Sequence, residues 1–412
     1  MYPCPPGQAE FVAQGHREEQ MWALMAVRRM PASMSPQTWV DATTKLTEVN
    51  DILRTSWLQV SGSEWVGVVL KSSQIDVTIT DVADESAATA IIEDFWATRF
   101  TFGKPMIKYA ILRYPDQTFD LAIKLNHAVY DGTLLRIFDD HFAAILSNTP
   151  LPPYEQFKDF AFHIYQSDKQ ASLAYWKQTM AGKAHTYPLL PSPTHVPRIT
   201  AATRLPIPTQ LDALAVACGV TPAIIFQAAF QLWLARATAN VDISFDYLLS
   251  GRNVALSNPQ TINGTCANFL PMRLQVDKAA DLRSYLQDTQ DRFWALTEHG
   301  DVGLDEIYGA VGLERKEVGN RTLFLFQPFE PAVQEEATRW LVMAKSKVRM
   351  YQPYGLVVEV AKAVGDGHRL TVMYDDAIYT AEAAGKIAED IAGIVTEFKE
   401  AGEDGRRVLE EL

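Results

Sequence analysis

Hydrophobic and polar positions alternate at Phe119-Asp120-Leu121-Ala122-Ile123-Lys124-Leu125, with the two-residue period of a half-buried strand. After a short polar break, Leu134, Leu135, Ile137, Phe138, Phe142, Ile145 and Leu146 recur at helical spacing and predict a helix over 133–146. Upstream, the same reading predicts a helix over 36–53, strands over 64–70 and 76–80, and a helix over 85–100. A strand pair over 107–125 follows, with Tyr114-Pro115-Asp116-Gln117 as its turn.

The pattern breaks between 180 and 208, where Pro188, Pro191, Pro193, Pro197, Pro206 and Pro208 remove backbone donors and fix φ. This segment reads as a connector. Beyond it, an amphipathic helix is expected over 210–217, ended by Gly219. Thr221-Pro222 then fits an N-cap with proline at the first helical position. A buried helix to Ala237 and a strand over 241–249 follow. Near the end, runs over 356–364 and 369–374 flank Gly365-Asp366-Gly367, a hairpin signal, before a last helix over 381–399. Both halves mix strands with helices, so the fold class is α/β. The expected division is 1–178, a connector over 179–208, and 209–412. No internal repeat is visible.

Composition narrows the function classes. A chain of 412 residues is long for one core and suggests two fused halves. Its net charge of -13 argues against nucleic acid, because binding phosphates needs a basic field. The three cysteines, Cys4, Cys218 and Cys266, lack metal-ligand spacing and read as buried thiols in a reducing compartment, with no metal expected. No basic-then-apolar leader is present in the first residues, and the apolar stretch over 223–237 is interrupted by Gln227, Gln231 and Arg236. The chain reads as cytosolic, with no membrane span.

Candidate chemistry lies between the alternating strand and its helix, at Asn126-His127-Ala128-Val129-Tyr130-Asp131-Gly132. A histidine at a strand end can be aimed into a cleft, and a neutral imidazole accepts a proton near pH 7. The other seven histidines read as surface or internally satisfied residues. The segment resembles the HHxxxDG motif of the condensation domains of nonribosomal peptide synthetases, with Asn126 in place of the first histidine. Further segments resemble that family in order. They are Tyr2-Pro3-Cys4-Pro5-Pro6-Gly7-Gln8, Asp51-Ile52-Leu53-Arg54-Thr55, Phe157-Lys158-Asp159-Phe160-Ala161 and Tyr175-Trp176. Ser250-Gly251-Arg252-Asn253 with Ile262 to Arg273 is similar to the family's SGRN…GxxxNxLPxR block. Glu298-His299-Gly300-Asp301 and Asn320-Arg321-Thr322 are fainter echoes.

The resemblance implies two chloramphenicol-acetyltransferase-like lobes forming a V-shaped pseudo-dimer around a central tunnel. It implies acyl transfer from a carrier-bound thioester to an amine or hydroxyl, with His127 as the base or positioning group. Asp131 is then a second base or, as the family generally has it, a structural anchor paired with an arginine, for which Arg54 and Arg273 are the candidates. Gly132 allows a tight backbone approach. Ser250 and Arg252 are candidates to line the path of a phosphopantetheine arm or to shape a strand exit, and Asn268 to orient a loop or contact the substrate. That arm belongs to a separate carrier domain, since no carrier-type serine motif is present here; no other cofactor is expected. Asn126 cannot act as a base. Fungal terminal domains that cyclise and release a peptide often carry serine at that position, so the departure points toward that subgroup. The expected partners are a carrier domain and neighbouring synthetase domains.

Alternatives from other classes remain. One is an intermolecular peptide-bond-forming domain, and another is a stand-alone coenzyme A-dependent acyltransferase. That class often shows a DFGWG segment, which is missing here. A third is a non-catalytic carrier-docking module. No GxSxG elbow, GxxxxGKS loop or GxGxxG fingerprint is present.

Overall fold

The computed structural model describes residues 1–404 except 18–19, 32, 62–63, 73, 183–186, 209, 329–338, 342–346 and 364–366. It divides into two units. The first comprises 1–167, 250–267 and 333–352; the second comprises 168–249, 268–332 and 353–412. The division expected from sequence, 1–178 and 209–412 joined by a connector over 179–208, differs from this one. Two stretches of the second half return to the first unit.

The first unit is built on a five-stranded sheet. Its order is Lys347–Met350, Ala23–Arg29, Phe119–Asn126, Ile107–Arg113 and Val77–Asp81. Only the last pair runs parallel. The hairpin between Ile107–Arg113 and Phe119–Asn126 turns where expected, with Tyr114 and Thr118 closing it and Gln117 at a φ of +67°. Phe119–Asn126 is almost wholly buried, which alternation alone does not imply. Lys124 explains this. Its ammonium donates to the Trp96 and Thr98 carbonyls at 2.5 Å each and lies over the Trp96 and Phe100 rings, so a charged residue is accommodated inside.

The helix expected over 36–53 ends at Val49, with Ser35 capping the Thr38 N–H and Pro36 at its start. Asn50 then donates to the Leu46 carbonyl, and Asp51–Arg54 form a 3-10 turn. A small three-stranded sheet joins Tyr2–Pro3, Glu64–Val69 and Thr55–Ser61.

The second unit carries a six-stranded sheet. Its order is Asn268–Gln275, Asp242–Leu249, Thr322–Gln327, Leu356–Lys362, His368–Tyr374 and Ala201–Ile207. The proline-rich stretch thus ends in a strand, at the edge of the sheet, where Pro206 is tolerated opposite Arg369. Helix Pro222–Thr238 is buried along most of its length and packs against Ala381–Asp404 and Leu282–Glu298. Thr221 stands at its N-cap, but its hydroxyl makes no capping bond. Gly219 ends the preceding helix at a φ of +72°. Leu356–Lys362 and His368–Tyr374 pair antiparallel as the hairpin signal requires, while Gly365-Asp366 lies outside the described residues. No single helix among the described residues is long and apolar enough to cross a membrane.

Candidate active site

The motif turn forms where the buried strand ends. Asn126 occupies the last ladder position opposite Ala23; His127–Val129 make one 3-10 turn, and Asp131 caps helix Gly132–Ser147. Asn126 is fully buried. Its Oδ1 accepts the Ala128 N–H at 2.8 Å, and its Nδ2 donates to the Met21 carbonyl at 3.1 Å. Both ends of the amide are spent on holding the turn. Asn126→Ala removes those bonds but no proton acceptor, so its expected loss of turnover is smaller than that of His127→Ala and comes with lower stability. Equal, complete losses at unchanged melting temperature would contradict this.

Two rings stack on His127, Phe11 at a centroid distance of 4.9 Å and Tyr130 at 4.1 Å, and Trp22 meets it edge-on at 5.8 Å. Nδ1 lies 3.3 Å from the Tyr130 carbonyl. A carbonyl only accepts, so this contact assigns the proton to Nδ1 and leaves the lone pair on Nε2. Burial pushes the imidazole pKa down to about 4, against smaller upward pulls from the Tyr130 carbonyl and the Asp131 charge. The ring is neutral at pH 7, and the residue keeps part of its surface accessible.

Asp131 is committed elsewhere. Oδ1 accepts from the Leu134 N–H at 2.7 Å and from Arg252 Nη2 at 3.1 Å. Oδ2 accepts from the same Nη2 at 2.9 Å and from the Cys266 N–H at 3.0 Å. The arginine partner is Arg252, and neither of the two expected candidates. Arg54 pairs with Asp51 of its own segment and donates to the Leu70 carbonyl. Arg273, in the second unit, pairs with Asp242 at 2.7 Å. Arg252 is 1% exposed; its Nη1 donates to the carbonyls of Pro259 and Ile262, and its Nη2 also donates to that of Gly264. A side chain so enclosed is not available to line the path of a substrate arm, which corrects that expectation.

Ser250 is exposed, and its hydroxyl oxygen accepts the Arg252 N–H at 3.4 Å. Asn268 lies in the second unit, where Nδ2 donates to the Gly300 and Val302 carbonyls and Oδ1 accepts the Phe269 N–H. It anchors the stretch after His299, the loop-orienting one of its two expected roles. Gly132 is simply the first helical residue. Tight approaches are seen at two other glycines. Gly251 has a φ of +67°, and a Cβ there would stand 1.7 Å from the Cys266 carbonyl oxygen. A Cβ on Gly264 would meet the Phe157 ring at 2.0 Å.

Several residues around the turn escaped the sequence reading. Gln8, from the opening segment, is buried and donates to the Ala128 carbonyl at 3.1 Å. Thr265 Oγ1 donates to the His127 carbonyl at 3.0 Å. Phe11, Trp22 and Tyr130 surround the imidazole. Their signal was faint: Gln8 and Tyr130 stand inside recognised segments, whereas Phe11 and Trp22 look like ordinary core aromatics.

The condensation-domain profile matches residues 1–408. The chain belongs to the condensation-domain family. Such domains form amide or ester bonds by acyl transfer. Nonribosomal peptide synthetase sidE of Aspergillus fumigatus is 44% identical over 98% of this condensation domain. Nonribosomal peptide synthetase 7 of the same fungus is 39% identical over 93%. The chain spans 19% and 16% of those two relatives. Among solved structures, the condensation domain of the Monacolin K polyketide synthase MokA superposes with a TM-score of 0.73 at 17% identity, covering 97% of each chain. The two α/β units are the chloramphenicol-acetyltransferase-like lobes of this fold.

Proposed function

We propose that this condensation domain works within a fungal nonribosomal peptide synthetase. It takes an acyl or peptidyl group from a thioester on the phosphopantetheine arm of a separate carrier domain and passes it to an amine or hydroxyl. The observation that carries this reading is His127: neutral, partly accessible, protonated on Nδ1 and free on Nε2. Nε2 accepts the proton as the nucleophile's nitrogen or oxygen attacks the thioester carbon. The C–S bond then breaks, and the proton passes to the departing thiolate, leaving an amide or ester and a free thiol. Asp131 and Arg252 act by fixing the turn.

The finer reading is intramolecular attack, releasing a cyclic product. Its support is the departure at Asn126, shared in kind with the fungal releasing subgroup. Supplying a peptidyl carrier with and without an external amine tests it: cyclic product in both cases is expected, and strict dependence on the external amine would overturn it.

A carrier-bound thioester should be a far better donor than the matching coenzyme A ester, because the relatives that the chain matches are synthetases. Side-by-side kcat/KM measurements check this. Equal use of coenzyme A esters, with no binding of a loaded carrier, would favour a stand-alone acyltransferase. Carrier binding without turnover would favour a docking module.

A further inference from the structure

Residues 21 and 22 grip the first two residues of the motif from the neighbouring chain segment. The Met21 carbonyl accepts the Asn126 side chain, and the Trp22 carbonyl accepts the His127 backbone N–H at 2.9 Å. Trp22 does this from a left-handed backbone, φ +59°, an unfavourable conformation for a bulky side chain. The conformation is held from both sides. Its N–H donates to the Tyr351 carbonyl at 2.8 Å, and its indole Nε1 donates to Gln14 Oε1 at 2.8 Å, with Gln14 bonded in turn to Glu10. The indole is 2% exposed, lies edge-on to Phe11 at 5.1 Å and edge-on to the imidazole at 5.8 Å.

This arrangement exceeds what filling the core requires. An apolar side chain on relaxed backbone would fill the volume, yet the chain keeps a strained tryptophan with its donor tied down and its carbonyl on the histidine. We propose that Trp22 is a positioning residue: its strained backbone and Gln14-anchored indole hold the His127 ring so that Nε2 faces the reacting amine or hydroxyl. The inference rests on the reading of His127 as the proton acceptor.

The indole also keeps water from the ring. Among the described residues, the titratable and charged groups on the surrounding elements include Tyr130 and Asp131 from the motif, Arg252 and Cys266 beside Asp131, Glu10 behind Gln14, and Tyr351 beyond the Trp22 N–H. Burial raises the Tyr130 and Cys266 pKa values well above neutral. Asp131 is the one whose charge pulls the imidazole upward. Opening the indole site to water therefore moves the His127 titration up, toward the ordinary histidine range.

The test compares Trp22→Leu, Trp22→Phe and Gln14→Leu, reading kcat and KM with one carrier-bound donor and following His127 by NMR titration. Trp22→Leu should lower kcat by about 10- to 100-fold, less than the ~10²–10⁴-fold for losing the base itself, with KM little changed and the titration shifted up. Trp22→Phe keeps an aromatic edge and should recover much of kcat. Should Trp22→Leu fail to fold, Gln14→Leu frees the indole without emptying the site and should show a smaller kcat loss. Folded Trp22→Leu, or in its absence Gln14→Leu, with wild-type kcat overturns the proposal. Failure of the underlying reading looks different: His127→Ala would keep turnover while the titration of His127 still moved in Trp22→Leu.

Discussion

His127→Ala is expected to lower turnover by about 10²–10⁴-fold, the usual cost of losing general-base help. The fold should survive, because the imidazole's one polar contact among the described residues is the 3.3 Å approach to the Tyr130 carbonyl, while the turn is held by Asn126, Gln8 and Thr265. Single-turnover rates with a loaded carrier, read beside circular dichroism, check both halves of the statement. Near wild-type rates in a folded His127→Ala protein would remove the residue from the mechanism.

The depressed pKa of His127 gives this prediction a pH signature. Folding holds the ring neutral down to about 4, whereas the unfolded chain protonates it near an ordinary value of about 6.5. Between those values the unfolded state binds more protons. The stability that this group contributes is therefore present above about 6.5 and is lost as pH falls toward 4. The acidic limb of kcat/KM, which reports the free enzyme, should fall near pH 4 to 5. A limb at 6 to 7 that vanishes in His127→Ala would show an imidazole better hydrated than its surroundings allow.

The second large effect is on stability. Asp131→Ala leaves the Arg252 guanidinium, 1% exposed, without its counter-charge, and breaking such a buried pair typically costs ~3–5 kcal/mol. The variant also loses the helix cap to Leu134, worth about 1 kcal/mol. Arg252→Ala should show a comparable defect, because it strands the Asp131 carboxylate and frees the carbonyls of Pro259, Ile262 and Gly264. The double variant should lose much less than the sum of the two. Asp131→Asn should fall between, because its single oxygen can keep the cap or the arginine but sets an amide donor against the other. Denaturant melts of the four proteins measure the coupling. Additive losses, or unchanged melting with collapsed turnover for Asp131→Ala, would reverse the structural role in favour of a catalytic one.

Much of the local architecture was legible. The alternation over 119–125 and the helical spacing over 134–146 place the motif at a strand-turn-helix junction, as observed. The recognised segments proved to be contact partners. Gln8 from the opening reaches the motif turn, Tyr2 packs edge-on against Phe157, and Asn50 beside the LRT segment accepts from Asn263 at 2.7 Å. Strand Ala23–Arg29 went unseen because, as an inner strand buried on nearly every position, it has no polar face to produce a two-residue period.

Local elements and the family could be read from the order of residues, because dihedral preferences, side-chain period and turn chemistry act over a few neighbouring residues. Tertiary structure alone decided which charges meet. Arg252 and Asp131 are 121 positions apart, and four motif arginines of equal chemistry were available. Arg252 is chosen because residues 250–267 return to the first unit, where Gly251 and Gly264 let the backbone close against Cys266 and Phe157. The same packing sets the state of His127. A histidine in a sequence carries its ordinary affinity for protons, and only the aromatic rings assembled around it from Phe11, Trp22 and Tyr130 exclude enough water to keep it neutral.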